Sequence, residues 1–196
     1  MQLQRVAVVG TTCSGKTTFA RRLAGLLGSP HIELDALHWE PKWTPAAPDV
    51  FRGRVAEAIA GESWVTDGNY TGLLGRMNWR LAETLVWLDY PIRIIYPRLF
   101  RRTFGRVLKR TDLWNGNRES LRTGFLSRES LFVWALQSHW RRRRQWEAAL
   151  REPEFAHLHV VRLRRPAQAA AWLRAVEEAT SHARTPSPSA ERFDVT

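Results

Sequence analysis

The chain has 196 residues, 44% of them hydrophobic and 25% charged, which suits one α/β domain with a full core and is short for two. A single cysteine excludes an intrachain disulfide framework, no stretch is long and apolar enough to span a membrane, and the start of the chain lacks the apolar core of a signal peptide, so a cytoplasmic setting is expected. The net charge of +11 is local: residues 93–151 hold fifteen Lys/Arg against four Asp/Glu while the rest balances, and such a segment suits a nucleotide, a nucleic acid or an acidic surface.

The first element is Arg5-Val6-Ala7-Val8-Val9, an apolar β-branched run of the kind a buried parallel strand needs. Gly10-Thr11-Thr12-Cys13-Ser14-Gly15-Lys16-Thr17 follows and fits the phosphate-binding P-loop pattern, with helical periodicity directly after it. Gly10 and Gly15 let successive N–H groups turn inward around an anion, and the helix aims its positive end at the same point. Lys16 is expected at the β/γ-phosphates and the Thr17 hydroxyl on Mg²⁺. The residues assigned to ATP are therefore Gly10, Thr11, Thr12, Cys13, Ser14, Gly15, Lys16, Thr17 and Thr18, with Cys13 read as a small tolerated side chain.

The periodicity predicts a helix over about 15–27, packing through Phe19, Leu23, Leu26 and Leu27 and ended by Gly28. A second strand, 31–35, places Asp35 at its carboxyl end. Residues 36–61 read as an insertion: a tryptophan-bearing loop through Trp39 and Trp43, a turn capped at Thr44-Pro45, and a helix with Phe51, Val55, Ala58 and Ile59 on one face. The third strand, 63–67, ends in Asp67, and a short helix is expected within 73–82. The nearly all-apolar run 84–89 reads as a central fourth strand; Pro91 suits the first position of a helix to about Lys109, in which Pro97 predicts a kink or interrupted start. Residues 111–128 are polar and irregular, 127–151 read as a long helix, 158–163 as the fifth strand, about 167–180 as the last helix, and 181–196 as a disordered tail. Five strands alternating with helices give a doubly wound α/β fold with a parallel five-stranded sheet, helices on both faces and one domain over 1–180.

The P-loop, the strand end Glu33-Leu34-Asp35, the strand end Asp67-Gly68 and the arginine-flanked insert at 111–128 resemble the adenylate-kinase-like P-loop kinases. More narrowly, the runs His31 to Trp39, Asp67 to Tyr70 and Trp114 to Ser120 are similar to the bacterial DNA topology modulation proteins. The resemblance spans about 5–179 and implies an ATP- and Mg²⁺-dependent phosphotransferase with an acceptor-binding insert near 36–61 and a helical lid near 111–128. It also implies arginines around the lid that hold the transferring phosphoryl group. Here Arg98, Arg101 and Arg102 precede the lid and Arg141 to Arg144 follow it, and Arg101, Arg102 and Arg141 are taken as catalytic beside Lys16 and Asp35. The loop at Arg164 to Pro166 would hold the adenine. The chain departs from adenylate kinases in having Asn69-Tyr70-Thr71 where Phe-Pro-Arg is usual, so the arginine that grips an acceptor phosphate is missing there, with Arg76 or Arg80 as candidate substitutes.

Asp35 is read as the residue that accepts the acceptor's proton or orients its hydroxyl, the alternative being a helix cap. Asp67 is read as a water-mediated Mg²⁺ ligand, the alternative being a turn-forming Asp-Gly, and Asp89 as a helix cap. Four consecutive arginines cannot all face one ligand, so one or two of Arg141 to Arg144 are expected to be functional. His157 and His159 lack a third ligand, and no metal site is expected there. The expected activity is phosphoryl transfer to a nucleotide, nucleoside or other small metabolite. The alternative is a nucleotide-regulated DNA-binding protein with ATPase activity, for which the basic segment speaks.

Overall fold

The computed structural model describes residues 3–109, 115 and 131–184. Among the described residues, seven strands and seven α-helices follow in the order β1 (Arg5–Gly10), α1 (Lys16–Leu27), β2 (His31–Glu33), α2 (Leu34–His38), β3 (Trp39–Glu40), β4 (Thr44–Pro45), α3 (Pro48–Ala58), β5 (Trp64–Asp67), α4 (Met77–Leu81), β6 (Thr84–Leu88), α5 (Ile92–Lys109), α6 (Leu131–Ala149), β7 (His159–Leu163) and α7 (Pro166–Arg184). Five strands form one parallel sheet in the order β2-β5-β1-β6-β7; β3 and β4 form a separate antiparallel hairpin. The expected five-stranded parallel sheet is present, with β1 at its centre and β6 beside it.

Both faces of the sheet are covered, which is why its inner strands read as unbroken apolar runs. Successive side chains alternate between the faces. Val6 and Val8 point into a core with Phe19, Leu23, Ile95 and Leu173, while Ala7 and Val9 point into a second core with Phe51, Val55, Trp64, Trp79, Trp87, Trp146 and Phe155. Much of the tryptophan content is structural: Trp146 meets Trp87 at 5.6 Å and Trp79 at 6.2 Å between ring centroids, both edge-on. On the other face Phe19 of α1 stacks on Trp172 of α7 at 5.8 Å.

Several boundaries differ from expectation for local reasons. The second strand stops at Glu33, so Asp35 lies in the first turn of α2 rather than at a strand end, and the tryptophan loop is a one-turn helix followed by a tight hairpin. Thr44-Pro45 is a strand of that hairpin; α3 begins instead with Pro48, whose missing N–H costs nothing in a first turn. Gly28 ends α1 as expected, in the left-handed conformation with its N–H on the Ala24 carbonyl. Helix α5 runs without interruption through Pro97, and the Pro91 carbonyl accepts the amides of Ile94 and Ile95 just before it. On the long helix Trp140 is exposed and Trp146 is buried. The last helix continues to Arg184, so residues 181–184 are helical rather than tail; the remainder of that segment, and the expected lid except Asn115, lie outside the described residues. No helix among the described residues is long and apolar enough to cross a membrane.

Candidate active site

The carboxyl edge of the parallel sheet gathers the chemistry. Strand β1 ends in Gly10 and runs into the P-loop, β5 ends in the buried Asp67, β6 is followed by Asp89 and β7 by Arg164. Ligands of open parallel sheets bind at this edge.

The loop's shape follows from its residues. A Cβ on Gly10 would sit 2.7 Å from Ser14 Oγ and 2.8 Å from the Leu88 carbonyl, and Gly15 precedes α1 with φ 91°. Cys13 also takes a left-handed backbone, φ 60°, a position that costs a non-glycine residue about 1 kcal/mol or more. Asn69 closes the loop from the side: its Nδ2 donates to the Gly10 carbonyl at 2.7 Å and its Oδ1 accepts the Gly10 amide at 3.3 Å. Gly10→Ala is therefore expected to cost about 1–3 kcal/mol, the usual penalty of overpacking. It should also weaken ATP binding, read by thermal denaturation with and without nucleotide; an unchanged midpoint would contradict the contact geometry.

Lys16 folds back with Nζ 3.4 Å from the Thr11 carbonyl. Burial pushes its pKa below the ordinary lysine value, Asp35 and Asp67 oppose that shift, and Arg102 and Arg142 reinforce it. A cation held half-desolvated among other cations favours a bound polyanion. Arg98 adds Nη1 at 3.2 Å from the Ser14 carbonyl and stands over Tyr90 at 5.5 Å. Arg98 and Arg102 lie one turn apart on α5; Arg101 is exposed to solvent.

Helix α6 turns one face to this centre. His139 is buried, with Nδ1 2.9 Å from Thr11 Oγ1 of the P-loop. Arg142 senses Asp35 and Tyr70, Arg143 reaches Asp89 at 3.4 Å, and Trp146 enters the core. The spacing 139, 142, 143, 146 is that of a single helix stripe. It explains why Arg142 and not Arg141 is brought to the site: Arg141 and Arg144 are exposed. Asp89 is not a helix cap. Arg162 holds it at 2.7 Å, reaches Glu147 at 2.7 Å and stacks over Trp87 at 4.2 Å, so the acid ties α6 to β6 and β7.

On the acceptor side, Tyr70 donates to Asp35 Oδ1 at 2.6 Å, and the Trp39 side chain hydrogen-bonds Tyr70 in turn. Burial, then the Asp35 charge, push the Tyr70 phenol far above its usual pKa, so it remains a donor to the carboxylate. Asp35 is therefore oriented by a neighbouring side chain, and the cap of α2 is Glu33, which makes no side-chain capping bond. His38 packs against Tyr70, Phe51 and Trp39 at 4.6, 4.9 and 4.8 Å. Asp67 is only 1% exposed and pairs with His31 at 3.3 Å, while its Oδ1 is buried without a hydrogen-bond partner among the described residues. The strand-end acid is thus internal, within electrostatic reach of Lys16. Arg164 is exposed at the start of α7, with its amide on Gln168 Oε1 at 2.8 Å. The sequence reading gave no role to His139, named Asn69 and Tyr70 only as parts of a motif run, and reached Arg142 only through the arginine block.

His38 and His139 are both buried, and burial lowers both pKa values below 6.5, against a smaller pull upward from Asp35 and Asp89 respectively. Between the lowered folded values and 6.5 the unfolded chain binds more protons, so stability rises with pH in that window. The stability is full above about 6.5 and is lost as the pH falls through the folded values. The melting temperature should drop between pH 7 and pH 5.5, and less so in a His38→Gln/His139→Gln variant; equal drops would remove the histidines from the account.

No family model and no curated protein matches the sequence. Solved structures do match the fold: a shikimate kinase from Acinetobacter baumannii in complex with shikimate aligns at 19% identity and TM-score 0.53, covering 94% of this chain and 97% of that one. The shikimate kinase from Bacteroides thetaiotaomicron aligns at 15% identity and TM-score 0.51, covering 91% and 98%. The chain has a P-loop NTPase fold. Likeness at this identity speaks for the fold, and the P-loop fold in turn gives the carboxyl-edge residues their common frame. The loop geometry fits a phosphate group: Gly10 leaves no room for a Cβ, Ser14 Oγ is buried without a hydrogen-bond partner among the described residues, and Lys16 rests on a loop carbonyl. Thr17, in the first turn of α1, with Asp67 close to Lys16, supplies oxygen donors of the type Mg²⁺ takes.

Proposed function

We propose that the protein transfers a phosphoryl group from ATP to the hydroxyl of a small molecule, in a cytoplasmic setting. The observation that carries this reading is the convergence of α5 and α6 on the P-loop, where Arg98 Nη1 lies 3.2 Å from the Ser14 carbonyl and His139 Nδ1 2.9 Å from Thr11 Oγ1, with Asp35, Arg102 and Arg142 in electrostatic reach of Lys16 or of one another. Bound ATP and Mg²⁺ would supply the transferable phosphoryl group and the neutralisation of its charge. The chain's part is positioning and electrostatics. Gly10 to Thr18 would cradle the phosphates, Thr17 and, through water, Asp67 would hold Mg²⁺, and Arg164 would serve the base. Lys16, Arg98, Arg102 and Arg142 stabilise the charge that develops on the phosphoryl oxygens. Asp35, fixed by Tyr70, orients the acceptor hydroxyl and takes its proton, and the catalytic roles first given to Arg101 and Arg141 pass to their inward-facing neighbours. The proposed single domain, first read as 1–180, extends to the end of α7 at Arg184, with the acceptor insert at 36–61.

The narrower resemblance to DNA topology modulation proteins rests on the sequence runs alone. The structure turns Arg98, Arg102, Arg142 and Arg143 toward the protein, and leaves Arg93, Arg101, Arg141 and Arg144 in solvent. Duplex binding is therefore expected to be weak, insensitive to ATP and steeply salt-dependent, with a log–log slope near −0.9 per phosphate contacted. Calorimetric binding of ATP alongside a salt titration of duplex binding tests the two readings together. ATP binding that requires Lys16 supports the kinase; sub-micromolar duplex binding at about 150 mM salt that ATP modulates would favour the DNA reading instead.

A further inference from the structure

Five basic residues lie in the acceptor half of the chain, between 31 and 82: Lys42, Arg52, Arg54, Arg76 and Arg80. The structure engages four of them away from Asp35. Arg52 donates to the Leu73 carbonyl at 2.8 Å, and Arg54 holds Glu40 at 2.9 Å and the Leu37 carbonyl at 3.1 Å. Arg76 pairs with Glu152 at 2.5 Å and lies over Phe155 at 5.5 Å, and Arg80 pairs with Glu154. Both candidate substitutes for a phosphate-gripping arginine are thereby tied to the 3₁₀ turn Pro153–Phe155 and its flank. Lys42 is exposed at the tip of the β3–β4 hairpin. Arg142, the cation that senses Asp35, also faces Lys16, which puts it on the path of the transferring group.

Arg142 aside, the described side chains in the hydrogen-bonded and ring-contact chain around Asp35 are aromatic. Tyr70 and Trp39 form a hydrogen-bonded chain ending at the carboxylate, and the half-buried Trp43 meets Trp39 edge-on at 5.6 Å. A phosphate dianion moved out of water needs cations or several donors to offset its desolvation. An aromatic wall instead gains from an apolar or planar face, while the carboxylate gains from a hydroxyl. Resting on the kinase reading above, we infer that the acceptor is an uncharged hydroxyl compound with an apolar face, of the nucleoside or sugar kind, and not a nucleoside monophosphate. The γ-phosphoryl–oxygen bond of ATP breaks, a bond from that phosphorus to the acceptor oxygen forms, the hydroxyl proton passes to Asp35 and then to solvent, and ADP leaves.

The test compares matched pairs in the full-length protein with MgATP: adenosine against AMP, and glucose against glucose 6-phosphate. ADP release and ³¹P NMR of the product are the readouts, and ATP binding is measured separately in wild type and Lys16→Ala. The expected result is a kcat/KM at least tenfold higher for the uncharged member of at least one pair, and the pair used separates nucleoside from sugar. Preference for the phosphorylated member, or no use of either uncharged compound by protein that binds ATP through Lys16, overturns the inference and leaves the P-loop reading standing. Absence of Lys16-dependent ATP binding overturns the kinase reading itself.

Discussion

Lys16→Ala is expected to lower ATP turnover by about a thousandfold, the scale of removing one preorganised donor to a developing charge, while the protein stays folded. The lysine makes no core contact; its nitrogen rests 3.4 Å from the Thr11 carbonyl, and burial already disfavours its charged form. Burial of this cation outweighs the attraction of Asp35 and Asp67, so its removal relieves a desolvation cost and the melting temperature should hold or rise. ATP affinity should fall with turnover. Steady-state ADP formation, isothermal calorimetry and thermal denaturation of the same variant check the three parts. Turnover that persists in Lys16→Ala would sink the assignment of the loop.

Asp35→Asn separates the acceptor from the donor. Its expected loss in transfer is about 10²–10⁴-fold, the contribution of a positioned general base, with ATP affinity nearly unchanged because the donor site is built from Gly10 to Thr18 and the arginines of α5 and α6. Asparagine keeps the shape and can still accept from Tyr70, so the fold should be untouched. Tyr70→Phe gives the graded companion: a hydrogen bond to a charged group is worth about 1.5–3 kcal/mol, so losing it should cost at most about 10–150-fold in transfer. If both variants transfer at the wild-type rate, Asp35 has no part in the chemistry. If Asp35→Asn weakens ATP binding as much as transfer, the carboxylate acts on the donor side.

The fold class, and the loop proposed to bind phosphate, were legible along the chain. Both are written in contiguous residues: the β-branched run Arg5 to Val9, the glycines at positions 10 and 15, and the lysine next to them act on their immediate neighbours, and spacing along the chain is their geometry. The strand-by-strand alternation from Arg5 to Leu163 likewise needs only local period and length to be read as a parallel sheet. Asp35 was legible as a candidate acid, but its setting was not, since the strand before it stops at Glu33 and its partner Tyr70 comes from beyond β5.

Only the tertiary structure decided which charges face the reaction and which serve the fold. Four consecutive arginines are alike in sequence; the rotation of α6, fixed by Trp146 in the core and by Arg143 on Asp89, turns Arg142 inward and Arg141 outward. Asp67 and Asp89 look like two similar acids near strand ends, yet one is buried against His31 and the other binds Arg162 and Arg143 from distant elements. Arg76 and Arg80 were plausible phosphate ligands by position until Glu152 and Glu154, more than seventy residues away in the chain, claimed them. A charge acts over a few ångströms of space whatever the distance along the chain, so its partner, and with it its role, is fixed by packing.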